Sequence, residues 1–403
     1  MSAMRKLLIA LLLLASIHST SPLAQQQLDS LLVNGSVLLH SPRGEMLISH
    51  QPTLPLIPAS LIKIPIAQVA LAVLGEDYRF ETHFYQNQQG DLLVRGLGDP
   101  LLVSEEIAEI TAELARQGLK QVTRLIMDDS AFEPTPDLPV ETGAKDPYAA
   151  RNSALAVNFN TVSLAWTQDG RLVSGEAQTP LTELARQMGS QINPGPPQRI
   201  NLGTDPLAGL GQAHQLFRHF LEKSGVTVTD AYLYRDAVSE DWTLLYEHSN
   251  CRSLESILQD MLRYSNNFIA NQLFMTIGAH EDGYPATVEK SRRTLEQKLV
   301  NLYGEGFGQN PERLVMLEGS GLSRQQLTSA VGMMRILEVF IPQADLLAEA
   351  DGMLRKSGTL TGVYNFAGYI PGADGLYPFV ILTNQGVNNR DEILAFLRRQ
   401  VQQ

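Results

Sequence analysis

Ala59-Ser60-Leu61-Ile62-Lys63-Ile64-Pro65-Ile66 is the stretch on which the reading of this chain turns. Pro55 and Pro58 precede it, and an apolar run continues from Leu61 to Leu74, where Gly75 closes it. That pattern predicts a helix with Ser60 in its first turn and Pro65 early enough to be tolerated. Residues three apart on a helix share a face, so the Lys63 amine is within reach of the Ser60 hydroxyl. A serine hydroxyl is a poor nucleophile until a base removes its proton. A lysine is such a base where burial or nearby cations lower its pKa. The chain has eight lysines, and Lys63 alone has a serine three residues before it. By itself the pattern arises by chance about once in a chain of this size, and Ser60 would serve equally as a helix cap.

Two further motifs lie downstream. Ser265-Asn266-Asn267 is the one S-x-N of the chain, set in the run from Tyr264 to Gln272; a local capping cluster is the competing explanation. Lys356-Ser357-Gly358-Thr359 supplies K-[ST]-G and precedes a strand-like stretch. An internal control shows how cheap that short pattern is. Lys223-Ser224-Gly225 matches it too, but ends a helix expected over 212–223. There Gly225 reads as a terminator and Lys223 as a cation at the helix C-terminus. Its position before the S-x-N is also out of order, so Lys356 is assigned to the site and Lys223 to structure.

Other chemistries are excluded. No serine has glycine at both −2 and +2, and no HExxH, phosphate-binding loop or dinucleotide fingerprint occurs. Cys251 is the single cysteine, which rules out an intramolecular disulfide and a multi-cysteine metal site. A net charge of −12 argues against nucleic acid. Neither a metal nor an organic cofactor is expected.

At 403 residues the chain is long enough for two or three domains. Its start, Arg5 and Lys6 followed by an apolar run from Leu7 to Ala15, reads as a signal peptide over 1–24, cleaved after Ala24. The run is shorter than the roughly 20 residues a bilayer requires. Export to the periplasm is therefore expected, with at most peripheral membrane association. The amphipathic face of Ile393, Leu394, Phe396, Leu397 and Val401 is read as core packing in preference to a membrane anchor. A hairpin is expected from 36–40 and 45–49. Short strands and Gly/Pro turns fill 85–246, broken by helices at 105–117 and 212–223. Helices are expected at 254–277, 285–303, 328–341 and 390–401, and strands at 363–370 and 379–383. The wide gap between Ser60 and Ser265 leaves room for an insertion of roughly 160 residues. The expected organisation is a domain from 25–84 and 247–403, interrupted by inserted structure over 85–246.

Ordered S-x-x-K, S-x-N and K-[ST]-G is the set of penicillin-binding enzymes, and further segments agree. They are Leu93 to Leu101, Leu125 to Phe132, Leu155 to Val162, Glu318-Gly-Ser-Gly-Leu-Ser-Arg324, Lys356 to Gly362 and Asn365-Phe-Ala-Gly368. Over about residues 28 to 400 the sequence resembles the class C low-molecular-mass penicillin-binding proteins, the D-alanyl-D-alanine carboxypeptidase/endopeptidases of peptidase family S13. The resemblance implies an α+β fold: a penicillin-binding/serine β-lactamase-like transpeptidase domain, an antiparallel sheet flanked by helices, with an α/β-rich region inserted between the first two motifs. It implies Ser60 as the acylated nucleophile, Lys63 as its base, Ser265 as proton relay and Asn267 as a ligand of the substrate peptide. Lys356 would tune the proton network and draw in the terminal carboxylate, with the Ser357 and Thr359 hydroxyls bonding it and Gly358 beside them in the substrate site. Backbone N–H groups of Ser60 and Thr359 would make the oxyanion hole.

Ser357 stands where the family more often has threonine. Ala144 to Tyr148 lacks the tryptophans usual before the family's tyrosine, leaving Arg324 and Thr361 as candidates for binding the stem-peptide side chain. The partners implied are peptidoglycan stem peptides and β-lactam antibiotics. Two alternatives share the motifs: a serine β-lactamase, which needs an extra deacylating base and usually has a shorter first gap, and a non-catalytic scaffold, which would be expected to have lost a motif residue.

Overall fold

Phe379-Val380-Ile381-Leu382 is apolar at successive positions, as a strand covered on both faces must be. It lies in the strand Gly375–Thr383, near the middle of a six-stranded antiparallel sheet. The computed structural model describes residues 22–134, 138, 145–190 and 192–402. All but the last three residues of the expected signal segment lie outside the described residues, as do Ala144 and most of the 134–139 turn.

The chain divides into two compact units. The first holds the chain up to Leu61, Leu302–Val315 and the chain from Arg324 onward; the second holds Ile62–Asn301 and Met316–Ser323. The sheet of the first unit runs in the order Ala348–Ala350, Met353–Leu360, Val363–Gly372, Gly375–Thr383, Gly35–His40, Met46–His50. The expected N-terminal hairpin is present, and its first strand pairs with the C-terminal one, Gly35 opposite Thr383 and Leu39 opposite Phe379. Helices Pro22–Leu31 and Arg390–Val401 cover one face. Leu28, Ile393, Leu394, Phe396 and Leu397 pack there on Val37, Leu39, Phe366, Ile370, Phe379 and Ile381. The amphipathic face of the last helix is thus spent on the core. Helix Ala330–Phe340 packs on the strands as well, and the Tyr369 hydroxyl donates to its Leu337 carbonyl at 2.6 Å. Lys356-Ser357-Gly358-Thr359 precedes the strand Val363–Gly372, as expected, and itself lies within another strand, Met353–Leu360.

The second unit contains the region inserted between the first two motifs. Its five-stranded mixed sheet has the order Tyr234–Arg235, Leu125–Asp128, Leu92–Gly96, Glu81–Gln86, Thr243–Ser249, the first three strands parallel. Helices Ser104–Arg116 and Pro206–Lys223 bury Ile107, Ile110, Leu114, Leu216, Phe217 and Phe220 in the same core. A smaller antiparallel sheet joins Leu172–Ser174, Thr161–Trp166 and Gln198–Asn201. Lys223 ends its helix, with Ser224 as C-cap and Gly225 at φ 84°, as the control motif required.

The single helix expected over 254–277 is two helices, Leu254–Arg263 and Asn267–Asp282. The break is local chemistry. Ser and Asn side chains compete with the helical backbone for its own hydrogen bonds. Ser265 takes φ 54°, and the Asn266 side chain caps the second helix by accepting from Ile269 N at 3.1 Å. That second helix is buried on every side from Phe268 to Ala279. Among the described residues no helix is long and apolar enough to cross a membrane.

Candidate active site

In the first unit, Ser60 sits in the 3-10 turn Ala59–Ile62, which runs directly into the helix Lys63–Leu74. The cap position of that helix belongs to Ile62, which makes no side-chain cap bond, and not to Ser60. Ala59, one residue before it, is held at φ 49°. A non-glycine residue in that region costs free energy and persists only where its surroundings dictate it. Two buried or half-buried amides supply the constraint. Asn365 Nδ2 donates to the carbonyls of Ile57 and Pro58, each at 2.9 Å, while its Oδ1 accepts from Thr383 N at 2.9 Å. Asn384 Oδ1 accepts from Ile57 N at 2.7 Å. The turn bearing Ser60 is therefore tied to the sheet by side chains from two strand ends.

Gly358 brings the third motif against that turn. A Cβ there would lie 2.5 Å from the Pro58 carbonyl oxygen and 3.3 Å from Leu61 N, so no other residue permits this approach. Along the strand, Lys356 and Gly358 face one side and Ser357 and Thr359 the other, opposite Phe366 and Tyr364 of the next strand. The Lys356 amine donates to the Ser357 carbonyl at 2.8 Å. Only 2% of Lys356 is exposed. Burial, and then the Arg390 guanidinium, bring its pKa down to about 7. Arg324 Nη2 donates to the Thr361 carbonyl at 2.8 Å, which places both residues at the end of the same strand.

In the second unit, Lys63 is fully buried. Its Nζ donates to Asn267 Oδ1 at 2.8 Å and to the carbonyl of Ser320. The first and second motifs therefore meet through a lysine–asparagine hydrogen bond. Asn267 Nδ2 reaches the Tyr148 carbonyl at 3.3 Å. Beside Ser265 and Asn267 opens a cleft of about 270 Å³, lined also by Tyr148, Phe159, Arg199 and Tyr264.

Two functional positions carried no assigned role at the sequence level. Glu318, 1% exposed, folds the loop that presents the Ser320 carbonyl: its Oε2 accepts from Ser320 N and Oγ, and its Oε1 from Gly321 N at 2.8 Å. Asn271 Oδ1 accepts from Gly319 N at 2.8 Å, where a Cβ would lie 2.3 Å from the Ala270 carbonyl. The readable signal was a glutamate followed by glycines on either side of a serine. Asn365 was the other; an asparagine inside an apolar strand is its signal. Among the described residues no cluster of His, Cys, Asp or Glu could hold a metal ion.

Known proteins are similar to this chain over most of its length. The model of the D-Ala-D-Ala carboxypeptidase 3 (S13) family matches residues 21–192 and 207–348. A D-alanyl-D-alanine carboxypeptidase of Actinomadura sp. (strain R39) is 28% identical across 87% of this chain and 78% of its own length. The D-alanyl-D-alanine carboxypeptidase DacB of Haemophilus influenzae is 24% identical across 79% of this chain and 78% of its own. The crystal structure of penicillin-binding protein 4 from Haemophilus influenzae superposes with a TM-score of 0.74 at 20% identity, covering 93% of this chain and 97% of that one. The same protein complexed with a β-lactam gives a TM-score of 0.67 at 21% identity. These structures share the α+β fold.

Proposed function

The chain belongs to the D-Ala-D-Ala carboxypeptidase 3 (S13) family, and from that premise we propose that it is a periplasmic serine DD-carboxypeptidase working through an acyl-enzyme on Ser60. The substrate is a peptidoglycan stem peptide ending in D-Ala-D-Ala; cross-link cleavage is the same chemistry with a longer leaving amine. The observation that carries this reading is the fully buried Lys63 amine held by Asn267 and the Ser320 carbonyl. Two fixed acceptors orient that amine. The amine belongs to the residue three after Ser60, in the turn that leads into its helix.

In the proposed reaction Ser60 Oγ attacks the carbonyl of the penultimate D-Ala as Lys63 accepts its proton. The C–N bond then breaks, Ser265 passes a proton to the departing D-Ala amine, and Asn267 bonds the peptide. Water attacks the ester and regenerates Ser60. Ser357 and Thr359 hydroxyls, with Lys356, bind the terminal carboxylate. A β-lactam enters the same steps and leaves an acyl group on Ser60. The Haemophilus structure complexed with a β-lactam is in keeping with this.

The experiment pairs fluorescent penicillin labelling with D-Ala release from a pentapeptide. A lasting label together with D-Ala release is expected. Ser60→Ala should abolish both, and Lys223→Ala neither. Rapid loss of label with antibiotic hydrolysis would make the protein a β-lactamase. A folded protein that takes no label and releases no D-Ala would reduce it to a scaffold.

A further inference from the structure

Arg390, the first residue of the C-terminal helix, is placed where the chemistry of the carboxylate-binding strand needs a donor. Its Nη1 donates to Thr359 Oγ1 at 2.7 Å, and its guanidinium lies over the Phe366 ring at 4.4 Å. Its Nε is buried with no hydrogen-bond partner, a cost that plain stacking on Phe366 would not require. The surroundings are cationic in a chain of net charge −12. Arg355 lies 4.7 Å from the same ring, Lys356 is on the strand, and Arg324 holds the Thr361 carbonyl. Of the nearby carboxylates, Asp351 pairs with Arg355 at 2.9 Å and Asp391 follows Arg390 in the chain.

A guanidinium has donors only, whereas a hydroxyl has one proton and two lone pairs. The bond from Arg390 therefore occupies Thr359 Oγ1 as an acceptor and leaves its single proton to be donated elsewhere. We propose that Arg390 is a specificity-determining positioning residue: by donating to Thr359 Oγ1 and having no acceptor of its own, it keeps that hydroxyl's proton available to the free terminal carboxylate of the substrate. The inference rests on the proposed carboxypeptidase function and adds a residue outside the three motifs.

The test uses the full chain and two pentapeptides, one ending in free D-Ala-D-Ala and one in its C-terminal amide. Arg390→Met should raise KM for the free acid by about tenfold, the worth of one hydrogen bond to a charged group, with kcat changed less than about twofold. The preference for acid over amide should fall by the same factor, and Arg390→Lys should largely restore it. Combined with Thr359→Val, the effects should be less than additive. Equal losses on both peptides, or full additivity, would leave Arg390 a packing residue and overturn the inference. Should Arg390→Met fail to fold, Arg390→Gln keeps a donor without the charge. It should raise KM for the acid selectively, and an unchanged KM for both peptides would overturn the idea. A wild-type protein that releases D-Ala from neither peptide defeats the proposed function itself, whereas an active wild type with an indifferent Arg390 defeats this inference alone.

Discussion

Lys356 carries a titratable charge on a side chain nearly closed to solvent, and Arg390 makes that charge costlier still. With its pKa down to about 7 from the ordinary 10.5, the amine is a cation below neutrality and loses its charge above it. If the cation draws in the substrate carboxylate, KM for a D-Ala-D-Ala peptide should rise as pH climbs through about 7. Stability should move the other way. Between about 7 and 10.5 the unfolded lysine binds a proton that the folded one lacks, so this group's contribution rises with pH across that window. Lys356→Met should flatten both dependences, read from KM at pH 6 and pH 8 and from denaturant unfolding at pH 6 and pH 9. A stability difference between those two pH values that survives unchanged in the variant would assign it to other groups. At this scale the sequence was most legible. Lys63, Ser265, Asn267 and Lys356 stand out through the order of three motifs taken together, because the lysines are few and two of the motifs unique. Asn365, Glu318 and Arg390 did not, since each acts through a partner distant in the chain.

The elements carry the constraints that spacing cannot express. The turn with Ser60 depends on Asn365, whose three bonds reach Ile57, Pro58 and Thr383 while its side chain is wholly buried. Asn365→Leu leaves those backbone groups unpaired and should cost about 2–4 kcal/mol in denaturant unfolding, with slower penicillin acylation of the protein that remains folded. Gly358→Ala puts a methyl 2.5 Å from the Pro58 carbonyl oxygen. It should cost about 1–3 kcal/mol by overpacking and slow acylation more than its stability loss explains, because the displaced segment is the one bearing Ser60. Acylation at the wild-type rate would show that the turn tolerates the shift. The helix break at Ser265 is the case where local and periodic signals disagreed. Apolar periodicity ran through 254–277, but a serine at positive φ and an asparagine cap interrupted it, and the second motif is made by that interruption.

For the whole molecule, the apolar face of the C-terminal helix packs on the sheet through Ile393, Leu394, Phe396 and Leu397. Localisation rests on the first residues. Expressed with its full N-terminus, the protein should appear in the periplasmic fraction, shortened by roughly the signal-peptide length. Retention of the full-length chain in the cytoplasm would reject export. Composition and motif order by themselves pointed away from nucleic-acid and disulfide chemistry and towards Ser60, Lys63 and Lys356, while the fold class came with the family resemblance that those motifs carry. These are properties of residue type and of short spacings, which survive without coordinates. Only the tertiary structure decided that Lys63 meets Asn267 and the Ser320 carbonyl, that Gly358 admits the Ser60 turn, and that Arg390 commands Thr359. Each of those depends on atoms brought within hydrogen-bond or van der Waals reach across separate stretches of chain, and no local pattern encodes such distances.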